Sequence, residues 1–211
     1  MMRAEISEQP AVLRRIADEE WRAVQTVAQQ ICDHAIRAVF LAARGTSDNA
    51  AAYFKYLFEI QNGIPCGLAA PSVVTMYRAH LNLHGALVVG ISQSGQAPDV
   101  VEYVAHARAN GALTVSITND PESPLANASH FTLQIRAGAE RSVAATKTYT
   151  GALAVIYLLS AALRNQHDAP QQIHAAAALI EQTLQQTEPR LQEIADRYRY
   201  MRECVALARG V

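Results

Sequence analysis

No stretch of this 211-residue chain is apolar for long enough to span a membrane. The start, Met1-Met2-Arg3-Ala4-Glu5, carries charge and lacks the hydrophobic run of a secretion signal, so a cytoplasmic protein is expected. Cysteine is scarce. Cys32, Cys66 and Cys204 are odd in number, scattered, and show no Cys-x-x-Cys spacing, which suggests neither a disulfide framework nor a zinc site. An excess of one charge is also missing. The balance of 18 basic and 19 acidic residues argues against nucleic acid or an anionic membrane as partner. The seven histidines (His34, His80, His84, His106, His130, His167 and His174) form no metal-ligand pattern. His80 and His84 are four apart, but no carboxylate or third ligand accompanies them. Neither a metal nor an organic cofactor is expected.

Apolar residues make up 50% of the chain, enough for a sizeable core. Over residues 10–35 they recur at helical spacing (Val12, Leu13, Ile16, Trp21, Val24, Val27, Ile31). Strands are expected at residues 38–43, 65–70, 86–91, 113–118 and 131–135. Helices fit between them, at residues 50–60, 72–79, 98–110 and 122–128. Ser47 stands where the first of these needs an N-cap, and Asn62-Gly63 closes it. A long helix over 143–163 follows, then one over 171–200 that Pro189 should break in two. Strand, helix, strand at this spacing predicts an α/β fold: a parallel sheet with both faces covered.

The most informative stretch is Ser92-Gln93-Ser94-Gly95-Gln96-Ala97-Pro98-Asp99, after the apolar run 86–91. Pro98 suits the first position of a helix. A short strand-to-helix turn of hydroxyls, amides and glycine aims N–H and O–H groups at the positive end of a helix dipole. It holds no lysine, so it suits a single phosphate better than a triphosphate. An ordinary turn whose serines merely cap the helix is the competing reading. Ligands on open parallel sheets bind beyond the carboxyl ends of the strands. Three further polar loops belong at that edge: Gly45-Thr46-Ser47, Thr118-Asn119-Asp120, and residues 138–147. Their convergence favours a small-anion site.

An internal echo links Phe40-Leu41-Ala42-Ala43-Arg44-Gly45-Thr46 to Val205-Ala206-Leu207-Ala208-Arg209-Gly210-Val211. Both are apolar runs into Ala-Arg-Gly after a helix, as though a second copy of the fold began there; a C-terminal strand on the same sheet is the alternative. The expected organisation is an N-terminal helical segment (1–35), a ligand-binding domain (36–165), C-terminal helices (166–200) and the first strand of a second copy (201–211).

In order and spacing, Arg44-Gly45-Thr46-Ser47, Ser92-Gln93-Ser94-Gly95, Thr118-Asn119 and Ala139-Glu140 through Thr146-Lys147 resemble the sugar isomerase (SIS) domain family. The likeness is greatest to the isomerase half of glucosamine-6-phosphate synthase and to stand-alone aminosugar-phosphate deaminases and isomerases. Residues 2–10 resemble the opening of that isomerase half. The resemblance implies a flavodoxin-like, three-layer α-β-α domain with a five-stranded parallel sheet, binding a hexose phosphate or aminosugar phosphate such as fructose 6-phosphate or glucosamine 6-phosphate. It implies that Gly45, Thr46 and Ser47 line the sugar, that Ser92, Gln93 and Ser94 hold the phosphate, and that Val143 and Ala145 border the sugar. Ala97 and Ala145 stand where the family commonly has hydroxyl residues.

The resemblance further implies two such domains in tandem, with the catalytic glutamate and lysine in the second, so this chain alone is expected to be inactive. A glutaminase domain is not expected before Met1. Interconverting fructose 6-phosphate plus ammonia with glucosamine 6-phosphate moves a proton between C1 and C2 and needs a base. Glu140 is the candidate within this chain, against a purely structural role in fixing its loop; Lys147 is a weaker candidate for a Schiff base. A sugar-phosphate-sensing module of a transcriptional regulator is the alternative, although no basic helix-turn-helix segment is present. A homodimer is expected because residues 143–163 are apolar on most sides, unless that helix is simply central to the core.

Overall fold

The computed structural model describes residues 1–205. The five strands β1 (Ala38–Ala43), β2 (Cys66–Leu68), β3 (Ala86–Ser92), β4 (Leu113–Thr118) and β5 (Phe131–Gln134) form one sheet. Every pairing is parallel, and the order across the sheet is β2-β1-β3-β4-β5. β3 and β4 are buried along their whole length, as strands covered on both faces must be. From β1 the chain steps outward to β2, then crosses back to β3 on the other side. The connections leaving β1 and β3 therefore diverge, and a crevice opens at their carboxyl ends.

Helices α1 (Met2–Ser7), α2 (Gln9–Glu19), α3 (Trp21–Asp33) and α4 (Thr46–Asn62) precede the short α5 (Ser72–Thr75). Next come α6 (Pro98–Ala109), α7 (Pro124–Ala128), α8 (Lys147–Leu163) and α9 (Ala169–Ala195). On one face of the sheet α2, α3, α4 and α8 bury Ile16, Val24, Phe54 and Leu158 against Leu41, Val89, Ile91 and Ile117. On the other, α5, α6 and α7 bury Val74, Val104 and Leu125 against Ala42 and Val88. This is the three-layer, flavodoxin-like arrangement. No helix of the described residues is long and apolar enough to cross a membrane. The three cysteines are free, and burial pushes the Cys66 thiol up to about 12.

Several boundaries differ from the sequence pattern, each for a local reason. The helical stretch at 10–35 is two helices, α2 and α3, joined at Glu20, whose buried carboxylate accepts from the Gln134 N–H (2.8 Å) and Arg136 Nε (2.6 Å). Helix α5 stops at Thr75, leaving Met76 and Tyr77 exposed. Pro189 does not break α9, which runs on to Ala195. The carbonyl that Pro189 frees, on Gln185, lies on an exposed stretch where water can satisfy it. Helix α8 starts at Lys147 rather than at residue 143, and its apolar sides are covered by the chain's own α2, α3 and α4. The apolar character of α8 is thus accounted for by the core of the described residues. Most of the repeat at the C-terminus, residues 206–211, lies outside the described residues.

Candidate functional site

The crevice is built first by two turns. After β1 the chain passes through Arg44 to Gly45, which adopts φ 59° and ψ −130° and is itself the N-cap of α4. This left-handed backbone, open to glycine, turns the chain sharply enough for the helix to begin at Thr46. Ser47 is therefore not the N-cap that the pattern predicts. It lies within the first turn, makes no capping bond, and contributes to the crevice wall.

After β3, Gly95 (φ +64°) folds the loop back on itself. The Gly95 N–H donates to Ser92 Oγ (3.2 Å) and the Gln96 N–H to Ser94 Oγ (3.3 Å). Because both hydroxyl oxygens already accept from backbone, each serine keeps its own O–H to donate to an incoming anion. The loop carbonyls are occupied as well: Gln93 O accepts from the Asn119 N–H (3.0 Å) and Thr118 Oγ1 (3.3 Å), and Gly95 O from the Leu125 N–H (3.1 Å). Negative carbonyl ends are thus turned toward the protein and hydroxyls toward the crevice. Pro98 opens α6 beside them, adding the helix's positive end.

The cavity has a volume of about 220 Å³, small for a ligand site. Thr46, Ser47, Ser92, Gln93 and Ser94 meet in its wall, together with Val143 and Ala145. Ser92 is only 8% exposed, yet it faces the cavity. Gly45 and Glu140 are not part of the wall, and neither is Thr118-Asn119-Asp120. That third loop braces its neighbours: Asn119 Nδ2 donates to Gly138 O (2.7 Å), and its Oδ1 accepts from the Ala137 N–H (2.8 Å). Sequence reasoning missed Thr148 and Tyr149, which line the cavity together with Ala145 and Ala152. The signal was present, since Thr148, Tyr149 and Ala152 fall at helical spacing on one face of α8.

Residues 139–146 form a loop in which carboxylates take three of the N–H groups, two of the three through a residue distant in sequence. Glu5 of α1, 5% exposed, accepts from the N–H groups of Arg141 (2.6 Å) and Ser142 (3.2 Å). These bonds, the Arg141 N–H first, hold its carboxyl below the usual range. Glu8 pairs with the buried Lys147 ammonium (2.5 Å), and Thr150 Oγ1 donates to Gln9 Oε1. The N-terminal segment therefore clamps the loop that carries Val143 and Ala145. Lys147, sealed and paired, is not placed to attack a carbonyl.

Glu140 holds the same loop from within. Its Oε1 accepts from the Thr146 N–H (2.9 Å), Thr146 Oγ1 (3.0 Å) and the Thr148 N–H (3.3 Å), and its Oε2 from Thr148 Oγ1. Burial acts to raise its pKa, but the bonds from Thr148 and Thr146 outweigh it, and the net shift is downward. A folded-state pKa below the unfolded one adds stability that is present above the unfolded value and lost as pH falls through the folded one. Melting of the native protein and of Glu140→Gln should therefore differ most at neutral pH. The two curves should converge as the pH drops below the ordinary glutamate range. A gap that is constant with pH would show that the ionised carboxylate does not hold the loop.

An all-parallel sheet ordered 2-1-3-4-5, with a hydroxyl-rich crevice where the connections of β1 and β3 diverge, defines an open-sheet α/β protein with a cavity at the strand switch point, where such sheets place ligands. The model of the SIS domain family matches residues 34–162, and the chain belongs to that family. Among curated proteins it is similar to glutamine–fructose-6-phosphate aminotransferase (isomerizing) of Thermotoga maritima, 34% identical over 174 residues, covering 79% of this chain and 28% of that protein. The Gloeobacter violaceus enzyme of the same name is 33% identical over 224 residues, covering all of this chain and 36% of the enzyme. This chain thus spans about a third of these curated relatives. A solved structure from Silicibacter pomeroyi, assigned as a phosphosugar isomerase, superposes with a TM-score of 0.86 at 34% identity, over 93% of this chain and 60% of that one.

Proposed function

We propose that the crevice binds a hexose 6-phosphate or aminosugar phosphate, as the phosphosugar-binding domain of a cytoplasmic aminosugar-phosphate isomerase or deaminase. One observation carries this reading: Ser92 and Ser94, with hydroxyl hydrogens to spare, meet Ser47 in one cavity beside the start of α6. The phosphoryl group lies on Ser92, Gln93 and Ser94, and the sugar extends toward Thr46, Ser47, Val143 and Ala145. Residues 36–165 carry the site, and the helices on either side frame it. Glu140 braces the loop instead of acting as the base, because its oxygens are already taken. Pairing with a second copy belongs to the same reading.

Thermal shift with glucosamine 6-phosphate, fructose 6-phosphate, inorganic phosphate and unphosphorylated glucosamine tests it. A ligand at about 100 times its Kd stabilises by about 2.7 kcal/mol, a rise of roughly 5–11 °C for a domain of this size. The phosphorylated sugars should reach that range, phosphate less, and glucosamine should give no shift. No response to any phosphate compound would refute the assignment. A non-catalytic sensing module would bind the same ligands, so turnover by the full protein separates an enzyme from a regulator.

A further inference from the structure

We infer that Arg44 binds the phosphoryl group directly, with Asp99 positioning its guanidinium; this rests on the phosphosugar reading above. Among the residues of the cavity wall, Arg44 alone carries a charge. Ala97 and Ala145, in the same wall, contribute no side-chain donor. Hydroxyls and one helix end supply only partial charges to a phosphate dianion, and a guanidinium supplies a whole one in a fork suited to phosphate oxygens.

The placement is specific. Asp99 lies in the first turn of α6, where its Oδ1 accepts from the Val100 N–H (3.0 Å). Its Oδ2 holds Arg44 Nη1 at 3.0 Å. A carboxylate pinned to the helix thereby draws an arginine from the end of β1 across the switch point toward the start of α6. Only one nitrogen of the fork is engaged among the described residues, and the others remain for a ligand. The arginine side chain is 68% exposed, so this pair adds little to stability and can shift as the ligand enters. Asp99 also brings a negative charge close to where the phosphate would sit, and Arg44 between the two removes that conflict.

Calorimetric titration with glucosamine 6-phosphate, of the native protein, Arg44→Gln, Asp99→Asn and the double variant, tests the inference. Arg44→Gln should weaken binding by about 10–100-fold, the usual loss of a charged hydrogen-bond partner, and Arg44→Lys should recover part of it. Asp99→Asn should weaken binding, but by less than Arg44→Gln, because the guanidinium loses its brace and keeps its charge; affinity equal to the native protein's would remove the positioning role of Asp99. The double variant should stay well below Asp99→Asn, because the direct contact is gone. If Arg44 only screens Asp99, the double variant recovers native affinity, and the inference is wrong. If Asp99→Asn loses as much as Arg44→Gln, the ion pair itself matters and the inference also fails. A native protein that binds no phosphate compound defeats the underlying reading, whereas binding that is indifferent to Arg44→Gln defeats this inference alone.

Discussion

Gly95→Ala should unfold the loop after β3 and cost about 3 kcal/mol, roughly 6–12 °C in Tm, with loss of ligand response. Two effects add. Gly95 has φ +64°, a backbone region that alanine enters only at a cost of about 1–2 kcal/mol. Its new Cβ would also stand 2.1 Å from Ser123 Oγ and 2.4 Å from Ser123 Cβ. Ser123 cannot simply move aside: it is 1% exposed and caps α7 by accepting from the Ala126 N–H (3.3 Å). Relief must come from the loop, and moving it pulls Ser92 and Ser94 apart. Differential scanning calorimetry and the same ligand titration provide the check. A variant with native Tm and native binding would mean that the tight turn does not shape the site.

The double variant Ser92→Ala and Ser94→Ala addresses the ligand while disturbing that turn far less. Each hydroxyl accepts one backbone N–H and offers one hydrogen to the cavity. Losing a donor to a charged ligand costs about 1.5 kcal/mol or more, so two lost donors should weaken phosphosugar binding by at least about 100-fold. The Gln96 N–H is exposed and finds water, whereas the Gly95 N–H is buried and loses a real partner, so a small drop in Tm should accompany the change. Affinity should fall far more than stability. Equal binding by the double variant would move the phosphate off this loop.

The strands, their parallel pairing, the closing Gly63 and the Pro98 start of α6 follow from the residues themselves. Apolar runs bounded by turn residues, and a proline whose missing N–H costs nothing at a helix start, are local signals. The loops at Ser47 and Ser92–Ser94 were legible for the same reason, because hydroxyl-rich turns sit where strands end. Local chemistry could not show that Gly45, not Ser47, is the N-cap of α4, since that depends on a backbone angle rather than on a capping side chain.

Contacts across the chain decided what the sequence left open. Residues 143–146 have helical composition, yet Glu5 takes the N–H groups of Arg141 and Ser142, and Glu140 that of Thr146, so the helix starts late. No window of sequence joins positions some 136 residues apart. The order 2-1-3-4-5 places the switch point, and thus the crevice, between β1 and β3. Likewise it is packing, not local sequence, that brings Asp99 of α6 within 3.0 Å of Arg44 at the end of β1. Propensity and pattern act over a few residues, whereas a ligand site is made where distant turns are forced together by the packing of the sheet.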